Sequence, residues 1–395
     1  MMPRRFLTVL VAVGAFVAIP LACSPQVVDA VDPAAGSSGA GGGGTSGSAG
    51  SAGTVAGDTS GGGAAPCPDG GSEGDLDGDG TRDCDDACSE DPNKTVPGTC
   101  GCGLPNPNET DGGASCGDLI ALLSHRYTFE GPAGSRVVVD SQAGTDYNGD
   151  VVRATVSGEG TLVLAGGRND QYAGLYNRLL QENPSVTLEA WVRWNGGNPW
   201  QRIFDFGTNN GPMEGEQGDN GVSYLFLTAR TPNDPLAPQL LQTGKMRLAY
   251  KRGAGELEII AEAPVALPSG GTEFTHVAVV VDSENMKMSI YMNGEPQNGY
   301  AFVSGYIGPV ENIEPVVVST AGPYDWSTPL ADGTMPPPVD LSTILDHNNW
   351  LGRSQFIADD SFGGTYEEFR LYAGALTAEQ IGISFKAGPN PVFFN

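Results

Sequence analysis

The stretch VTLEAWVRW, residues 186–194, sets Leu188, Ala190, Val192 and Trp194 on one parity and Glu189, Trp191 and Arg193 on the other. Successive side chains of a strand leave opposite faces, so this period of two predicts a β-strand with one apolar and one more polar face. MKMSIYM, residues 286–292, reads the same way, with Met286, Met288, Ile290 and Met292 alternating with Lys287, Ser289 and Tyr291. Just before it lies the β-branched run FTHVAVVVD, and residues 283–285 supply a turn that makes the two runs a hairpin, with a second turn at Asn293 and Gly294. Short runs of this kind between Gly, Pro and Asn turns continue over 119–395. Helix is expected only after Leu376, where Thr377 and Gln380 have the spacing of a capping box. The region is therefore all-β, and its length and turn spacing point to one β-sandwich.

Seven segments occur here in a telling order: HRYTFEG, VTLEAWVRW, QRIFDFG, FTHVAVVVD, IYMNG, NNWLGRS and FGGTYEEFRLYAGALTAEQI. Together they resemble the LamG-like, concanavalin A-like jelly-roll domain over nearly all of 119–395. The resemblance implies an exported module that binds a glycan or protein ligand, often with calcium at the rim. Some relatives on the same fold are glycosidases, so the fold does not choose between binding and catalysis. Laminarinase-type jelly rolls place their carboxylates as Glu-x-Asp-x-x-Glu, a string this chain lacks. Glu367 and Glu368 are adjacent in a strand and should face opposite ways. His125 and His276 begin strands and read as structural, while His347 sits in a loop. Binding is the better-supported class. A glycan-active enzyme is the alternative, and a purely structural envelope or matrix spacer is a third reading. Connections 207–221, 230–244 and 304–342 are too long for plain hairpins, and long loops in a compact domain tend to carry function. The last contains Tyr324, Asp325 and Trp326, whose rings and carboxylate could stack on and hydrogen-bond a sugar, or could pin the loop to the sandwich.

Upstream, DLDGDGTRDCDD, residues 75–86, concentrates acid. Asp75, Asp77 and Asp79 alternate, Gly80 permits a sharp turn, Thr81 stands at the seventh place to offer a carbonyl, and Asp83 and Asp86 take the ninth and twelfth. These are the offsets of a calcium (Ca2+) loop, because Ca2+ collects six to eight hard oxygens from a chain that curls around it. The following ACSEDPNKTVPGTCGCG cannot be helix, which excludes a helix-loop-helix hand. The combination resembles the thrombospondin type 3 repeat, a disulfide-stapled, calcium-filled stalk, and this implies Asp75, Asp77, Asp79, Asp83 and Asp86 as ligands. A fainter copy keeps Glu109, Asp111, Gly112, Cys116 and Asp118 but has Pro107 and Ser115 where carboxylates are needed. Cys67, Cys84, Cys88, Cys100, Cys102 and Cys116 can form three bridges, in any of fifteen patterns. So small a segment must rely on bridges and metal for its order.

The chain begins with Arg4 and Arg5 before the apolar run FLTVLVAVGAFVAIPLA, which stops at Cys23, the one cysteine left over. This resembles a bacterial lipoprotein signal. It implies cleavage after residue 22 and lipidation of Cys23, and Ser24 then directs the protein to the outer membrane or cell surface; ordinary cleavage and secretion is the alternative. Residues 23–66 are rich in Gly, Ser and Ala and form a flexible tether with a reach of roughly 35–40 Å. The expected organisation is a signal peptide over 1–22, the tether over 23–66, the Cys-rich segment over 67–118 and the jelly roll over 119–395. The formal net charge of −27 argues against nucleic acid, and the membrane is met only through the lipid.

Overall fold

The alternating strands can bury their apolar parity only against one another, and the chain solves this with two facing layers. The structure, a computed structural model, describes residues 74–106, 114–233, 243–297, 299–304 and 316–394. Cys23, Cys67, Glu109 and Asp111, with the expected signal and tether, lie outside them.

In the first layer Ser361–Tyr372 is central, pairing antiparallel with Val186–Trp194 on one edge. Its other edge carries Leu162–Gly167 along its first half and Leu123–Thr128 along its second. Val186–Trp194 continues to Thr275–Asp282 and then to Lys287–Met292. The second layer runs Gly149–Val152, Tyr172–Leu175, Asn348–Leu351, Arg202–Asn209, Gly221–Thr228, Arg247–Lys251, Glu258–Glu262, Tyr300–Ser304 and Val316–Ser319, antiparallel throughout. Val137–Asp140 pairs with a strand of each layer and joins them. Between the layers Leu188, Val192, Phe204, Phe206, Val277, Val279 and Phe369 share one core. Each such side chain contributes about 1.5–3 kcal/mol by leaving water.

The hairpin forms as the turn residues predict, but Met286 belongs to the turn and not to the alternation: its φ is 56°, and the strand starts at Lys287. A larger departure concerns the polar parity of Val186–Trp194. Glu189 and Trp191 lie on the more polar parity, and both are buried. The C-terminal helix Ala378–Ala387, capped by Thr377 and Gln380 as their spacing predicts, contributes Ser384, which donates to Glu189 Oε2 at 2.7 Å. Arg370, also fully buried, sits 4.2 Å from the Trp191 ring and donates to Ser384 and Gly388.

The Cys-rich segment is part of the same body. A helix not foreseen in the sequence, Cys116–Leu122, crosses the boundary expected at residue 118. Cys100, Leu104, Cys116 and Leu119 share a cluster with Ala278, Val280, Tyr372, Leu376 and Ile381 on the outside of the first layer. FTHVAVVVD is apolar on both parities because both of its faces are covered.

Candidate functional site

With the first layer capped, the outward face of the second layer is where side chains converge. The register aligns Trp350, Asp205, Phe226, Ala249, Ile260 and Phe302 in one row across six strands. A regular strand would put Arg202 and Asp205 on opposite faces. A register shift between Arg202 and Phe204 turns Ile203 and Phe204 both into the core and leaves Arg202 beside Asp205 on the outside. Arg202 Nε then lies 3.2 Å from Asp205 Oδ2, its Nη2 3.1 Å from Asp359 Oδ2, and its Nη1 donates to Trp200 O at 2.7 Å. Its guanidinium stacks 3.8 Å from the Phe226 centroid.

Around this arginine a pocket of about 210 Å³ is lined by Trp200, Arg202, Phe226, Glu258, Phe356, Ala358 and Asp359. Trp200 takes a φ of 66°, a left-handed conformation that a bulky residue adopts only where its surroundings enforce it. Glu258 accepts from Tyr224 Oη at 2.9 Å. Burial pushes Asp205 up to about 7 against the opposing pull of Arg202, and burial likewise raises Asp359. A second hollow of about 400 Å³ meets the first at Asp359 and is lined by Arg168, Asp170, Glu216, Gln217 and Arg353 among others. Arg353 stacks 4.2 Å from the Trp350 centroid and 4.3 Å from that of Tyr172.

The aromatics singled out in the sequence lie elsewhere. Tyr324 and Trp326 are 0% and 6% exposed and belong to the core between the layers, with Tyr324 Oη donating to Pro337 O at 2.9 Å. Asp325 Oδ1 accepts from the backbone and hydroxyl of Ser327. Neither ring presents a free face, so the sugar-stacking expectation gives way to the pinning one: these side chains fasten the loop to the sandwich. His276 Nε2 meets the equally buried Glu189 at 3.2 Å, and His125 Nδ1 meets Asp140 at 2.7 Å, which gives both histidines structural partners. Both carboxylate oxygens of Glu368 are engaged, by Arg126, Arg370 and the Asn390 N–H.

In the acidic loop Gly78 and Gly80 take φ of 80° and 96°, which curls the chain. Oxygens of Asp75, Asp77 and Asp79 lie within 4.8 Å of one another. Asp75 accepts from the N–H groups of Gly78 and Gly80, Asp77 from Asp79, and Asp79 from Thr81. Asp83 Oδ1 accepts from Leu76 at 2.7 Å and ties the end of the loop to its start. Asp86 is buried; its Oδ1 accepts from Cys88, whereas its Oδ2 and Asp77 Oδ2 are buried with no hydrogen-bond donor. Reduced contact with water, with the carboxylates of Asp79, Asp86 and Asp75, pushes Asp77 up. An all-oxygen donor set with two acceptors that nothing satisfies fits a hard cation. Bridges join Cys88 to Cys102 and Cys100 to Cys116, and Cys84 is also disulfide-bonded. In the faint second copy, Asp118 accepts from Ser115 N–H and caps the Cys116–Leu122 helix.

Residues 166–335 match the model of the concanavalin A-like lectin/glucanases superfamily. No curated protein matches the chain. Among solved structures it is similar to domain 4 of a GH43 extracellular arabinanase from Geobacillus stearothermophilus, in complex with arabinotriose. That pair is 18% identical, covers 66% of this chain and 97% of the other, and has a TM-score of 0.36. The CBM40 of the Ruminococcus gnavus IT-sialidase, bound to α2,3 sialyllactose, is 17% identical over 56% of this chain and 95% of its own, with a TM-score of 0.33. Trypanosoma rangeli sialidase in complex with DANA is 15% identical over 67% of this chain and 32% of its own, with a TM-score of 0.37. The two layers described above and the family match give the fold: a concanavalin A-like jelly roll, with disulfides in the segment before it.

Proposed function

We propose that the jelly roll binds a glycan through the Trp200 pocket. The observation that carries this reading is the pocket itself: three aromatic side chains around an arginine and two carboxylates, on the outward side of the second layer and away from the cluster built on the first. Aromatic faces stack on the apolar side of a sugar ring, and fixed carboxylates accept from its hydroxyls. At about 210 Å³ the pocket is smaller than the ~300–1,000 Å³ typical of drug-sized ligands, which fits one terminal sugar unit. The donors of Arg202 are taken by Asp205, Asp359 and Trp200, and Glu258 adds a further negative charge, so a neutral sugar is favoured over an acidic one.

In the same proposal one Ca2+ sits among Asp75, Asp77, Asp79, Asp83 and Asp86, and the lipid on Cys23 displays the assembly at the outer membrane or cell surface. The two unsatisfied carboxylate oxygens support the ion, and the Arg-flanked apolar run supports the anchor. A glycan array probed with the full chain, beside Trp200→Ala and Phe356→Ala, tests the reading. Neutral glycans should be retained by the parent and lost by both variants. Equal retention by all three chains would refute the pocket, and turnover of a bound glycan would make it an enzyme.

A further inference from the structure

Three hollows lie side by side on the outward face of the second layer. The Trp200 pocket shares Asp359 with the hollow of about 400 Å³. Arg353, in the wall of that second hollow, stacks on Tyr172 and Trp350, which line a third hollow of about 320 Å³. Its Nη1 also donates to the carbonyl of Gly215, another wall residue of the third, at 2.7 Å. The row that runs through Trp350, Asp205 and Phe226 continues past Trp350 to Gly174 and Asp150. From Gly174 to Phe226 is three strand steps, or about 14 Å at the usual spacing of neighbouring strands, several times the reach of a single sugar ring.

Gly174 is the informative member of the row. Gly149 and Gly207, in strands of the same layer, have no room for a side chain, because a Cβ there would run into the carbonyls of Gly174 and Ser223. At Gly174 a Cβ would meet Tyr172 Cε2 at 3.5 Å and Trp350 Cδ1 at 4.0 Å, which is ordinary contact, and its φ lies outside the left-handed region. Neither packing nor backbone therefore demands a glycine. What it does is leave the floor of the third hollow open beside the half-buried Tyr172 ring, and a strand glycine of this kind marks a place where a ligand can approach closely.

The charges select the ligand. Glu258, Asp359, Asp170, Glu216, Asp150 and Glu214 line the three hollows, six carboxylates against three guanidinium groups and His347. Two of those guanidinium groups are engaged, Arg202 by Asp205 and Asp359, and Arg353 by Asp170 at 2.6 Å. Carboxylates accept from sugar hydroxyls and repel acidic sugars. We infer that the ligand is a neutral, linear oligosaccharide, with one end in the Trp200 pocket and its chain running past Asp359 and Arg353 into the hollow floored by Gly174. This rests on the glycan pocket proposed above and adds the length, the path and the charge of what it binds.

The test is titration calorimetry on the full chain with linear gluco-, xylo- and manno-oligosaccharides of one to six units, and with oligogalacturonates as acidic counterparts. Affinity of the parent for a neutral series should climb about tenfold or more between the single sugar and the chain long enough to reach Gly174. Gly174→Val fills the floor of the third hollow, and Glu214→Ala removes an exposed carboxylate from its wall. Both variants should stay near the short-chain affinity at every length. Glu214→Ala decides alone if Gly174→Val melts well below the parent. A parent whose affinity does not rise with length, while Trp200→Ala still abolishes binding, overturns the extended path and leaves the pocket standing. Variants that climb as the parent does, or tighter binding of oligogalacturonates than of neutral chains, overturn it as well. No binding at any length, or binding that Trp200→Ala does not weaken, refutes the pocket itself.

Discussion

Trp326→Ala and Trp200→Ala separate a tryptophan that holds the fold from one that, in the proposed reading, holds a ligand. Trp326 is 6% exposed, packs in the core between the two layers and sits 6.1 Å from the Tyr324 ring. Truncating a buried aromatic side chain to alanine costs about 3–5 kcal/mol in lost transfer energy and residual cavity. In a domain of this size each kcal/mol lowers Tm by about 2–4 °C, so Trp326→Ala should melt roughly 6–20 °C below the parent. The folded fraction at 20 °C should bind glycan with unchanged affinity. Trp200 is only half-buried, and its ring lies 5.6 Å from Arg202 and 5.5 Å from Arg247 at the pocket wall. Its removal should cost little stability. As an aromatic anchor of the ligand it contributes on the order of 2 kcal/mol, or about thirtyfold in Kd. Scanning fluorimetry and titration calorimetry on both variants give the four numbers needed. A Trp326→Ala chain that melts within about 2 °C of the parent yet loses binding would show that the ring faces the ligand, and the burial argument would fail.

Three further outcomes follow from the same geometry. Asp205 and Glu262, each pushed up to about 7 chiefly by burial, keep protons in the folded chain that the unfolded chain releases near pH 4. Their contribution is complete below about pH 4 and is lost as pH rises through about 7, so Tm should fall between pH 5 and 8, and fall less in Asp205→Asn; an equal or steeper decline in the variant would contradict this. Chelation, or Asp77→Ala, should expose the acidic loop to limited proteolysis, more so after reduction, while the jelly roll keeps most of its Tm; identical cleavage with and without chelator would reduce the loop to an acidic spacer. Cys23→Ala should move the protein from the membrane fraction to the soluble one, and unchanged fractionation would count against lipidation.

What the sequence makes legible follows from which features are local. Period-two runs, the Thr377 cap and the glycine turn of the acidic loop each depend on residues within a few positions of one another, and each appears where the sequence puts it. The proposed binding pocket is not local. Read at period two, RIFDFG places Arg202 with Phe204 and Phe206, and only the register shift after Arg202 puts it on the other face beside Asp205. Trp200, Phe226, Glu258 and Phe356 come from four separate parts of the chain and carry no spacing signal. Tyr324 and Trp326 left two readings open for the opposite reason. Their loop looks exposed because it is long and rich in proline, but a long loop has to be fastened, and aromatic side chains fasten it at little entropic cost.

The burial of Glu189 and Trp191 bears on function as well as on fold. Had that parity faced water, either sheet could have received a ligand, and the Cys-rich segment could have been a detachable stalk. Instead Glu189 is held by His276, Tyr372 and Ser384. Arg370 spans Glu368, Ser384 and Gly388, and the Cys100–Cys116 bridge lies in the cluster that closes over this layer. Although His276 Nδ1 is left without a hydrogen-bond partner, a buried polar network of this kind resists opening, because breaking any member strands the others. The first layer is therefore committed to supporting the Cys-rich segment and the C-terminal helix. In the proposed reading recognition falls to the second layer, where Arg202, Asp205 and Asp359 form a smaller charged cluster that opens onto a pocket. The bridge-bearing segment packs against the outside of the first layer, so the proposed pocket around Trp200 and Arg202 stands on the layer that this segment does not touch.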